Sequence, residues 1–573
     1  MNRLKTILSA LLITFSLQAS ASLVVTAWND LGMHCIDGKD YSVFSILPPY
    51  NNLHVQIMDS VTNKLITSGV TVTYEAYKDP SGSINTKSST KTNFWTYVQT
   101  LYGKAVLPNR GLNLSNPNIS NPTPSLVPAK MLYNPTMKWW EADGIPITPF
   151  DDAGKKNFFP MVKVTVKNSI GTVLGHTETV LPISDEMSCK TCHASNSVAA
   201  ARPSTGWTNL NAGVDGHLIT ASDIEKDWKL NILKLHDSQH LTVDATYMAA
   251  LTKIGAPSTG LYARAVAGTP TLCAACHGTN ALAQPNQTVV VNGATITMSS
   301  MTASLHTSHG TVKNPANPSL SLDDTKTRDT CYFCHPGANT KCLRGAMSNI
   351  TDLECQSCHG TMAAVGQPSR AGWYQEPTCQ ACHHDGMREK IAVTNINTGT
   401  LRVTTDTRFA SNPNTPAAGL NLFRFSTGHG GLQCEACHGS THAEYASGAT
   451  WLTAYDNDIR QSIMLQGYSG PIRECNICHA QPFTANKGPH GMHSIGQKWV
   501  KSHGDSAEGT KSAACKYCHD DKSTGVAANA WRGSKLSMIQ TPKKFTIENR
   551  TISYAKGQKV GCYDCHNGPK ESR

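Results

Sequence analysis

Nine copies of the pattern C-x-x-C-H run through the later two thirds of the chain and contain 18 of its 20 cysteines. Numbered motifs 1 to 9 in chain order, they contain the cysteine pairs Cys189 and Cys192, Cys273 and Cys276, Cys331 and Cys334, Cys355 and Cys358, Cys379 and Cys382, Cys434 and Cys437, Cys475 and Cys478, Cys515 and Cys518, and Cys562 and Cys565. The histidines that complete them are His193, His277, His335, His359, His383, His438, His479, His519 and His566. At this abundance of cysteine and histidine, chance would give roughly 0.03 copies.

This pattern is the attachment signature of c-type haem. Two thiols three residues apart can bond to the two vinyl groups of one porphyrin, and the histidine that follows can bind its iron. Disulfides and zinc ribbons are the alternatives, but neither requires a histidine after every second cysteine, and a zinc ribbon uses two C-x-x-C pairs per metal. The motifs therefore predict nine covalently attached c-type haems, with the motif histidines as proximal ligands.

The first 21 residues have the pattern of a secretory signal peptide. Arg3 and Lys5 precede an apolar run from Thr6 to Leu17, and Ala19-Ser20-Ala21 provides a cleavage site of small residues. The run has 12 residues, whereas a helix that spans a bilayer needs about 20. We therefore predict an exported protein without a transmembrane segment, located outside the cell, on the outer cell surface or in the periplasm.

The formal net charge is +10, and about +8 without Arg3 and Lys5. A basic balance first suggests nucleic acid as a partner. Each haem carries two propionates, however, so nine haems would bring the mature protein to roughly −1 when oxidised and roughly −10 when reduced. We therefore expect the basic side chains to pair with propionates and predict no binding of nucleic acid.

The segment before motif 1 alternates apolar and polar residues in the manner of β-structure. Candidate strands are residues 23–28, 53–58, 70–76, 162–167 and 173–180. Eight of the 29 prolines lie between residues 101 and 150, which predicts mostly loop there. Trp139 and Trp140 are expected to be exposed, as the one candidate site for a mineral or a polysaccharide. We predict a signal peptide at 1–21, a β-rich non-haem domain at 22–185 and a nine-haem cytochrome c domain at 186–573.

The fold class predicted is a small β-sandwich-like domain followed by a multihaem domain of loops and short helices with a few β-hairpins. The intervals between motifs are too short for independent apolar cores, so the porphyrins should form much of the buried volume. Asn292-Gly293 predicts a hairpin over 289–296. Weaker hairpin patterns cover 391–403 and 546–554, and residues 223–241 have the periodicity of a helix.

Fourteen histidines lie outside the motifs, and 11 of them lie in the predicted haem domain. Nine irons can therefore each bind two histidines, which favours low potentials and leaves no open position. The predicted distal ligands are His236, His240, His306, His309, His429, His442, His490, His493 and His503, with His217 and His384 in reserve and Met33 and Met492 as weaker alternatives. The spacing requires motifs 3, 4, 8 and 9 to use remote histidines, which we expect upstream.

Cys35 and Cys342 are the two cysteines outside the motifs. They could form a disulfide that joins the β-rich domain to the haem domain. Unpaired thiols, or a bridge to another chain, are the alternatives.

Three stretches of the chain, residues 430–442, 488–493 and 561–569, resemble secreted multihaem c-type cytochromes of metal-reducing bacteria. Residues 28–35, with the sequence Trp-Asn-Asp-Leu-Gly-Met-His-Cys, are similar to an N-terminal module found with such cytochromes. The resemblance covers the haem region and implies electron transfer across the periplasm or outside the cell. The partners it implies are other redox proteins, above all cytochromes, and extracellular metal oxides or electrodes.

Two functions are compatible with these features. The first is an electron-transfer relay in extracellular respiration, which has no catalytic residues. The alternative is a multihaem oxidoreductase that reduces a small nitrogen or sulfur compound, which would need an iron with an exchangeable sixth position. Because every motif ends in histidine and spare histidines are plentiful, we predict an electron carrier rather than an enzyme. A monomer or weak oligomer is favoured, and a filament linked by histidines of the β-rich domain is the other possibility.

Overall fold

The computed structural model of the chain describes residues 23–112, 116, 118–185, 187–210, 220–335, 337, 353–370, 375–384, 387–410, 412, 414–417, 422–442, 457–467, 469–472, 474–480, 490, 493–494, 496–504, 539 and 542–565. The predicted signal peptide, motif 8 with Cys515, Cys518 and His519, the motif histidine His566, the reserve ligand His217, and the residues Cys342 and Met492 lie outside the described residues.

The region before motif 1 is β-rich, as predicted. Its elements are β1 (Leu23–Trp28), β2 (His34–Cys35), β3 (Phe44–Ser45), β4 (Tyr50–Asp59), β5 (Lys64–Leu65), β6 (Thr71–Tyr77), α1 (Phe94–Tyr102), β7 (Ala129–Lys130), β8 (Leu132–Asn134), β9 (Trp139–Pro146), β10 (Met161–Lys167), β11 (Val173–Val180) and β12 (Ile183–Ser184). Two antiparallel sheets form, one in the order β1-β4-β9-β8 with β5 beside β4, the other in the order β11-β10-β6-β7.

The two sheets pack face to face as a sandwich around one apolar core. Alternate residues of β4 and β10 enter this core, among them Val55, Ile57 and Val164, each of which is buried. Period-two alternation places such residues on one face of a strand, which is why the sequence predicts these strands well. The fold class predicted from the sequence is confirmed for this region.

The second face of the sheet that contains β4 is buried as well, because the C-terminal part of the chain covers it. Trp28, Met58 and Trp139 pack there against Phe425 and Leu432. The prediction that Trp139 and Trp140 are exposed is therefore wrong: Trp139 is 0% and Trp140 is 4% exposed. They point to opposite faces of β9, and each face is covered by a different apolar cluster.

The proline-rich stretch is mostly loop up to residue 128, but the residues that follow form β7, β8 and β9. β9 pairs with β4 on one side and with β8 on the other, so it is an inner strand of its sheet. The prediction of a long loop insertion is corrected to this extent. The prolines of the stretch do not interrupt β9, because Pro146 stands at its last residue.

The remainder of the chain has short helices and hairpins, as predicted. The helices are α2 (Lys190–His193), α3 (Ala221–His240), α4 (Ala245–Lys253), α5 (Leu261–Val266), α6 (Met301–Gly310), α7 (Arg328–Cys331), α8 (Cys355–His359), α9 (Met362–Val365), α10 (Cys379–Cys382), α11 (Cys434–His438), α12 (Arg460–Gln466), α13 (Cys475–Cys478) and α14 (Gln497–Ser502). The strands are β13 (Thr271–Leu272), β14 (Thr288–Val291), β15 (Ala294–Thr297), β16 (Lys313–Asn314), β17 (Asn317–Ser321), β18 (His383–His384), β19 (Met387–Arg388), β20 (Val393–Asn395), β21 (Thr400–Leu401), β22 (Lys543–Ile547) and β23 (Arg550–Tyr554).

The three hairpins predicted from the sequence are present as β14 with β15, β20 with β21 and β22 with β23. The predicted helix over 223–241 is α3, which begins with a capping box between Thr220 and Asp223. Among the described residues, the structure contains no helix with the length and hydropathy needed to cross a bilayer.

One interval between motifs is more ordered than predicted. Between motifs 1 and 2, α3, α4 and α5 pack around an apolar cluster that includes Trp228, Leu251 and Leu261. Phe44 of the β-rich region completes this cluster, and β3 pairs in parallel with β13 beside it. The expectation that no interval contains an apolar core is therefore wrong here, because α3 is long enough to bury one face.

Candidate functional site

Six motif histidines each face a histidine that lies outside the motifs. The ring centroids are 6.3 Å apart for His193 and His309, 6.5 Å for His277 and His236, 6.1 Å for His335 and His306, 6.3 Å for His359 and His442, 6.1 Å for His438 and His490, and 6.0 Å for His479 and His429. Two imidazoles that bind one metal ion from opposite sides, each nitrogen about 2 Å from the metal, have centroids about 6.3 Å apart. The six pairs therefore have the separation that one iron between two histidines requires.

Face-to-face stacking does not account for this separation. Where a histidine stacks on an aromatic ring in the same molecule, as His54 does on Trp139, the centroids are 4.1 Å apart. Within the six pairs, the angle between the rings ranges from 17° for His306 and His335 to 74° for His193 and His309. The constant separation and the variable angle fit two ligands on one axis rather than a stacked pair.

In several of these histidines, Nδ1 forms a hydrogen bond with a backbone carbonyl. On α6, the Nδ1 of His306 lies 2.8 Å from the carbonyl oxygen of Thr302, and the Nδ1 of His309 lies 2.6 Å from that of Leu305. The Nδ1 of His277 lies 3.0 Å from the carbonyl oxygen of Ser299. A carbonyl only accepts, so each Nδ1 has the hydrogen and Nε2 remains available to a metal, which is the usual arrangement of a metal-bound histidine.

Burial holds most of these imidazoles in the neutral form. It lowers the pKa of His335, His438 and His442 to about 4 and that of His359 to about 3. The neighbouring histidines lower these pKa values further, except for His442, where the neighbouring charge is Arg424. Neutral imidazole is the form that binds a metal ion, so these sites can accept one near neutral pH.

Two contacts join motifs 3 and 4. One lies at their first cysteines, and the other lies just before them. The thiols of Cys331 and Cys355 hydrogen-bond to each other. Three residues before Cys331, the guanidinium of Arg328 donates to the Glu354 carboxylate at 3.0 Å, and the backbone N–H of Arg328 donates to the same oxygen at 2.6 Å. The two motifs therefore meet at their first attachment positions.

Motifs 5 and 6 are joined in the same way. The thiols of Cys379 and Cys434 hydrogen-bond to each other. Arg424 forms an ion pair with Glu376, and its backbone N–H donates to that carboxylate at 3.0 Å. In both motif pairs one glutamate binds the side chain and the backbone of one arginine, although the glutamate belongs to the later motif in the first pair and to the earlier motif in the second.

In the other neighbouring motifs, cysteine side chains lie near one another without a hydrogen bond described between them. The pairs within electrostatic range are Cys273 and Cys189 for motifs 2 and 1, Cys189 and Cys334 for motifs 1 and 3, Cys358 and Cys382 for motifs 4 and 5, and Cys437 and Cys478 for motifs 6 and 7. In addition, α6 carries both His306 and His309, which face motifs 3 and 1. Taken together, the proximities of these cysteines and histidines place motifs 1 to 7 in the spatial order 2-1-3-4-5-6-7.

The other predicted distal ligands lie next to different side chains. His240 lies one turn after His236 on α3, where its Nδ1 is 3.2 Å from the Asp244 carboxylate. His493 and His503 flank Trp499 near α14, with ring centroids 4.1 and 5.8 Å from that of Trp499. The reserve residue His384 lies 3.3 Å from the Arg402 guanidinium.

The partner of motif 4 is downstream rather than upstream, because His442 faces His359. The His383 ring of motif 5 packs against Phe409, with centroids 5.6 Å apart. In the β-rich region, the Nε2 of His34 lies 2.7 Å from the Asp30 carboxylate, and His54 is buried against Trp139. The weaker alternative Met33 is 2% exposed in the same region.

Sequence reasoning missed the residues that support the histidines from outside the motifs. Asn63, in the turn between β4 and β5, has its Oδ1 2.6 Å from the Nδ1 of His479. His442 hydrogen-bonds to the backbone of Leu31, in the segment 28–35. The resemblance of that segment to a module found with multihaem cytochromes was the one signal in the sequence, and nothing in the sequence marks Asn63.

A comparison with family models matches residues 347–573 to the family described as outer membrane cytochrome MtrC/MtrF-like, domains II/IV. No curated protein and no solved structure matches the chain. The matched part includes motifs 4 to 9, about two fifths of the residues. It confirms the resemblance to multihaem cytochromes inferred from the sequence. Over residues 347–573, the chain is therefore similar to outer membrane cytochromes of the MtrC/MtrF-like family.

Proposed function

We propose that the chain is an electron-transfer relay of extracellular respiration, with nine c-type haems and no catalytic site of its own. The observation that carries this proposal is the set of six opposed histidine pairs, each with the separation of two ligands on one iron. A histidine on each side of the iron leaves no position for a substrate. At these six motifs, the relay is therefore favoured over an oxidoreductase with an open site.

Each pair has one histidine from a motif and one from outside. In the proposal the axial pairs are His193 with His309, His277 with His236, His335 with His306, His359 with His442, His438 with His490, and His479 with His429. His493 and His503 remain the proposed distal ligands for two of the other motifs. A bound haem supplies an iron that alternates between ferric and ferrous, and electrons pass between neighbouring haems.

The path that we propose follows the contacts between motifs, in the order 2-1-3-4-5-6-7. Cysteine side chains that lie as close as those of Cys331 and Cys355 would hold the haems attached to them near each other. The ion pairs Arg328 with Glu354 and Arg424 with Glu376 lie beside these contacts and fix the two chain segments to each other. The protein thus contributes the spacing and the order of the sites, which determine whether electrons can pass along them.

We further propose that residues 1–21 direct export. Residues 22–185 would then form the β-rich domain without haem motifs, and residues 186–573 the domain that contains them. The location proposed is the outer cell surface, the extracellular space or the periplasm. The partners proposed are other cytochromes and extracellular metal oxides, and the assembly is a monomer or weak oligomer. The name of the matched family, an outer membrane cytochrome, supports the surface location.

Two measurements on the mature protein test this function. Intact mass should give nine haems per chain, and eight or fewer in homogeneous protein would contradict the count. Low-temperature EPR of the oxidised protein should show low-spin ferric signals from all haems. A high-spin ferric signal equal to one haem per chain would overturn the relay and indicate an open site for a substrate.

A further inference from the structure

We propose that Asn63, in the β-rich region without haem motifs, is a positioning residue that sets the orientation and the redox potential of the site at motif 7. This inference rests on the proposed function, because it takes His479 to be an axial ligand. It assigns the β-rich region a part in the relay that sequence reasoning did not give it. The region would tune a haem that it does not attach.

The geometry begins with the turn between β4 and β5. The Asp59 carboxylate accepts the backbone N–H of Val61 at 2.8 Å, and the Asp59 carbonyl accepts that of Asn63 at 2.8 Å. Asn63 has a φ of 57°, in the left-handed region that asparagine tolerates better than most residues. The turn therefore fixes the backbone from which the Asn63 side chain extends.

Two contacts attach this turn to motif 7. The Oδ1 of Asn63 lies 2.6 Å from the Nδ1 of His479, and the backbone N–H of Ala480 donates to the Ser60 carbonyl at 2.9 Å. The backbone bond fixes the chain next to His479, and the side-chain bond fixes its ring. The ring then faces His429, with centroids 6.0 Å apart.

The chemistry of the hydrogen bond between Asn63 and His479 predicts the sign of its effect on the redox potential. An amide oxygen only accepts, so Nδ1 of His479 donates and Nε2 is left as the ligand. A hydrogen-bond acceptor at the distant nitrogen raises the basicity of a metal-bound imidazole and fixes its ring plane. A more basic ligand favours the ferric state, so a stronger acceptor at position 63 should lower the potential of that one haem.

The test uses the haem-loaded full-length protein and three variants. Asn63→Asp keeps an acceptor at the same place and gives it a negative charge, and aspartate also tolerates the left-handed region. Asn63→Gly removes the acceptor without backbone strain. Val61→Asp is the matched control, because it adds the same charge to the same turn at an exposed side chain with no contact to His479 described.

We expect a potentiometric titration to show one haem of lower potential in Asn63→Asp and one of higher potential in Asn63→Gly, with the other haems unchanged. The EPR g values of one low-spin haem should shift in both variants, because the ring plane of His479 is less constrained or differently bonded. Val61→Asp should give the titration and the EPR spectrum of the wild type.

Equal shifts in Asn63→Asp and Val61→Asp would overturn the proposal, since the effect would then be one of charge on the surface. Unchanged potentials and g values in both Asn63 variants would also overturn it and leave the contact a structural one. Failure of the proposed function is a separate result: it would appear in the wild type as a missing haem or a high-spin signal at motif 7.

Discussion

His236 and His240 lie one turn apart on α3, but of these two predicted ligands it is His236 that faces a motif histidine. Its ring centroid is 6.5 Å from that of His277. Residues four apart share one face of a helix, so the sequence pattern cannot distinguish the two. The contacts of the helix distinguish them, because the His236 ring faces His277, whereas the Nδ1 of His240 lies 3.2 Å from the Asp244 carboxylate.

This difference predicts opposite results for two alanine variants. His236→Ala should remove the distal ligand at motif 2 and convert one low-spin haem into a high-spin haem, visible by EPR of the oxidised protein. His240→Ala should leave all signals low-spin, and it serves as the matched control on the same helix. A high-spin haem in His240→Ala with none in His236→Ala would contradict the pairing of His236 with His277.

The packing of Trp139 predicts that the β-rich region stabilises the rest of the chain. The ring of Trp139 is fully buried, and its centroid lies 4.9 Å from the centroid of the Phe425 ring. Trp139→Ala should lower the free energy of unfolding by about 3–5 kcal/mol. The measurement is chemical denaturation followed by far-UV circular dichroism. The control is Leu107→Ala, because the Leu107 side chain is 74% exposed. Equal stability of the two variants would mean that this interface is not formed in solution.

The buried carboxyl of Asp37 predicts a dependence of stability on pH. It accepts from the Ser45 hydroxyl at 2.8 Å and from the Ile46 N–H at 2.7 Å, and the Lys229 ammonium donates to the backbone carbonyls of Asp37 and Asp40. Burial raises the pKa of Asp37 to about 6, against the opposing effect of the nearby Lys229. The folded state therefore binds the proton more tightly than the unfolded chain, and this carboxyl contributes stability that is gained as pH falls from about 6 to about 4.

Asp37→Asn should remove this contribution. The free energy of unfolding of the wild type should rise, relative to that of the variant, by about 1–3 kcal/mol between pH 7 and pH 4. Asp59→Asn is a control whose effect on the pH dependence of stability should have the opposite sign. The backbone N–H of Val61 holds the pKa of the Asp59 carboxyl below its usual value, so this carboxyl contributes stability that is lost as the pH falls. A wild type and an Asp37→Asn variant with parallel pH profiles would show that Asp37 does not titrate in this range.

Much of the fold follows from local patterns in the sequence. The alternation in β4 and β10, the Asn292-Gly293 turn and the capped helix α3 are each determined by residues close together in the chain, and each is present in the structure. The attachment motifs are local as well. Their cysteines and histidines could therefore be identified without knowing which parts of the chain meet.

The partners of the motifs depend on long-range packing, which the sequence did not reveal. His442 faces His359 from a distant part of the chain, and Arg424 with Glu376 joins two further segments that are far apart in sequence. The burial of Trp139 depends on Phe425 and Leu432, which come from another part of the chain. Asn63 is an ordinary turn residue by its pattern, and its role appears only once His479 is placed beside it.

An experimental structure of the haem-loaded protein, by crystallography or electron cryo-microscopy, tests the central claim most directly. We expect the haems of motifs 1 to 7 to lie in the order 2-1-3-4-5-6-7, each nearest to its neighbours in that series. We expect His309, His236, His306, His442, His490 and His429 opposite the histidines of motifs 1, 2, 3, 4, 6 and 7, respectively. A haem of motif 4 nearest to that of motif 7, or a ligand other than His306 opposite His335, would contradict the account.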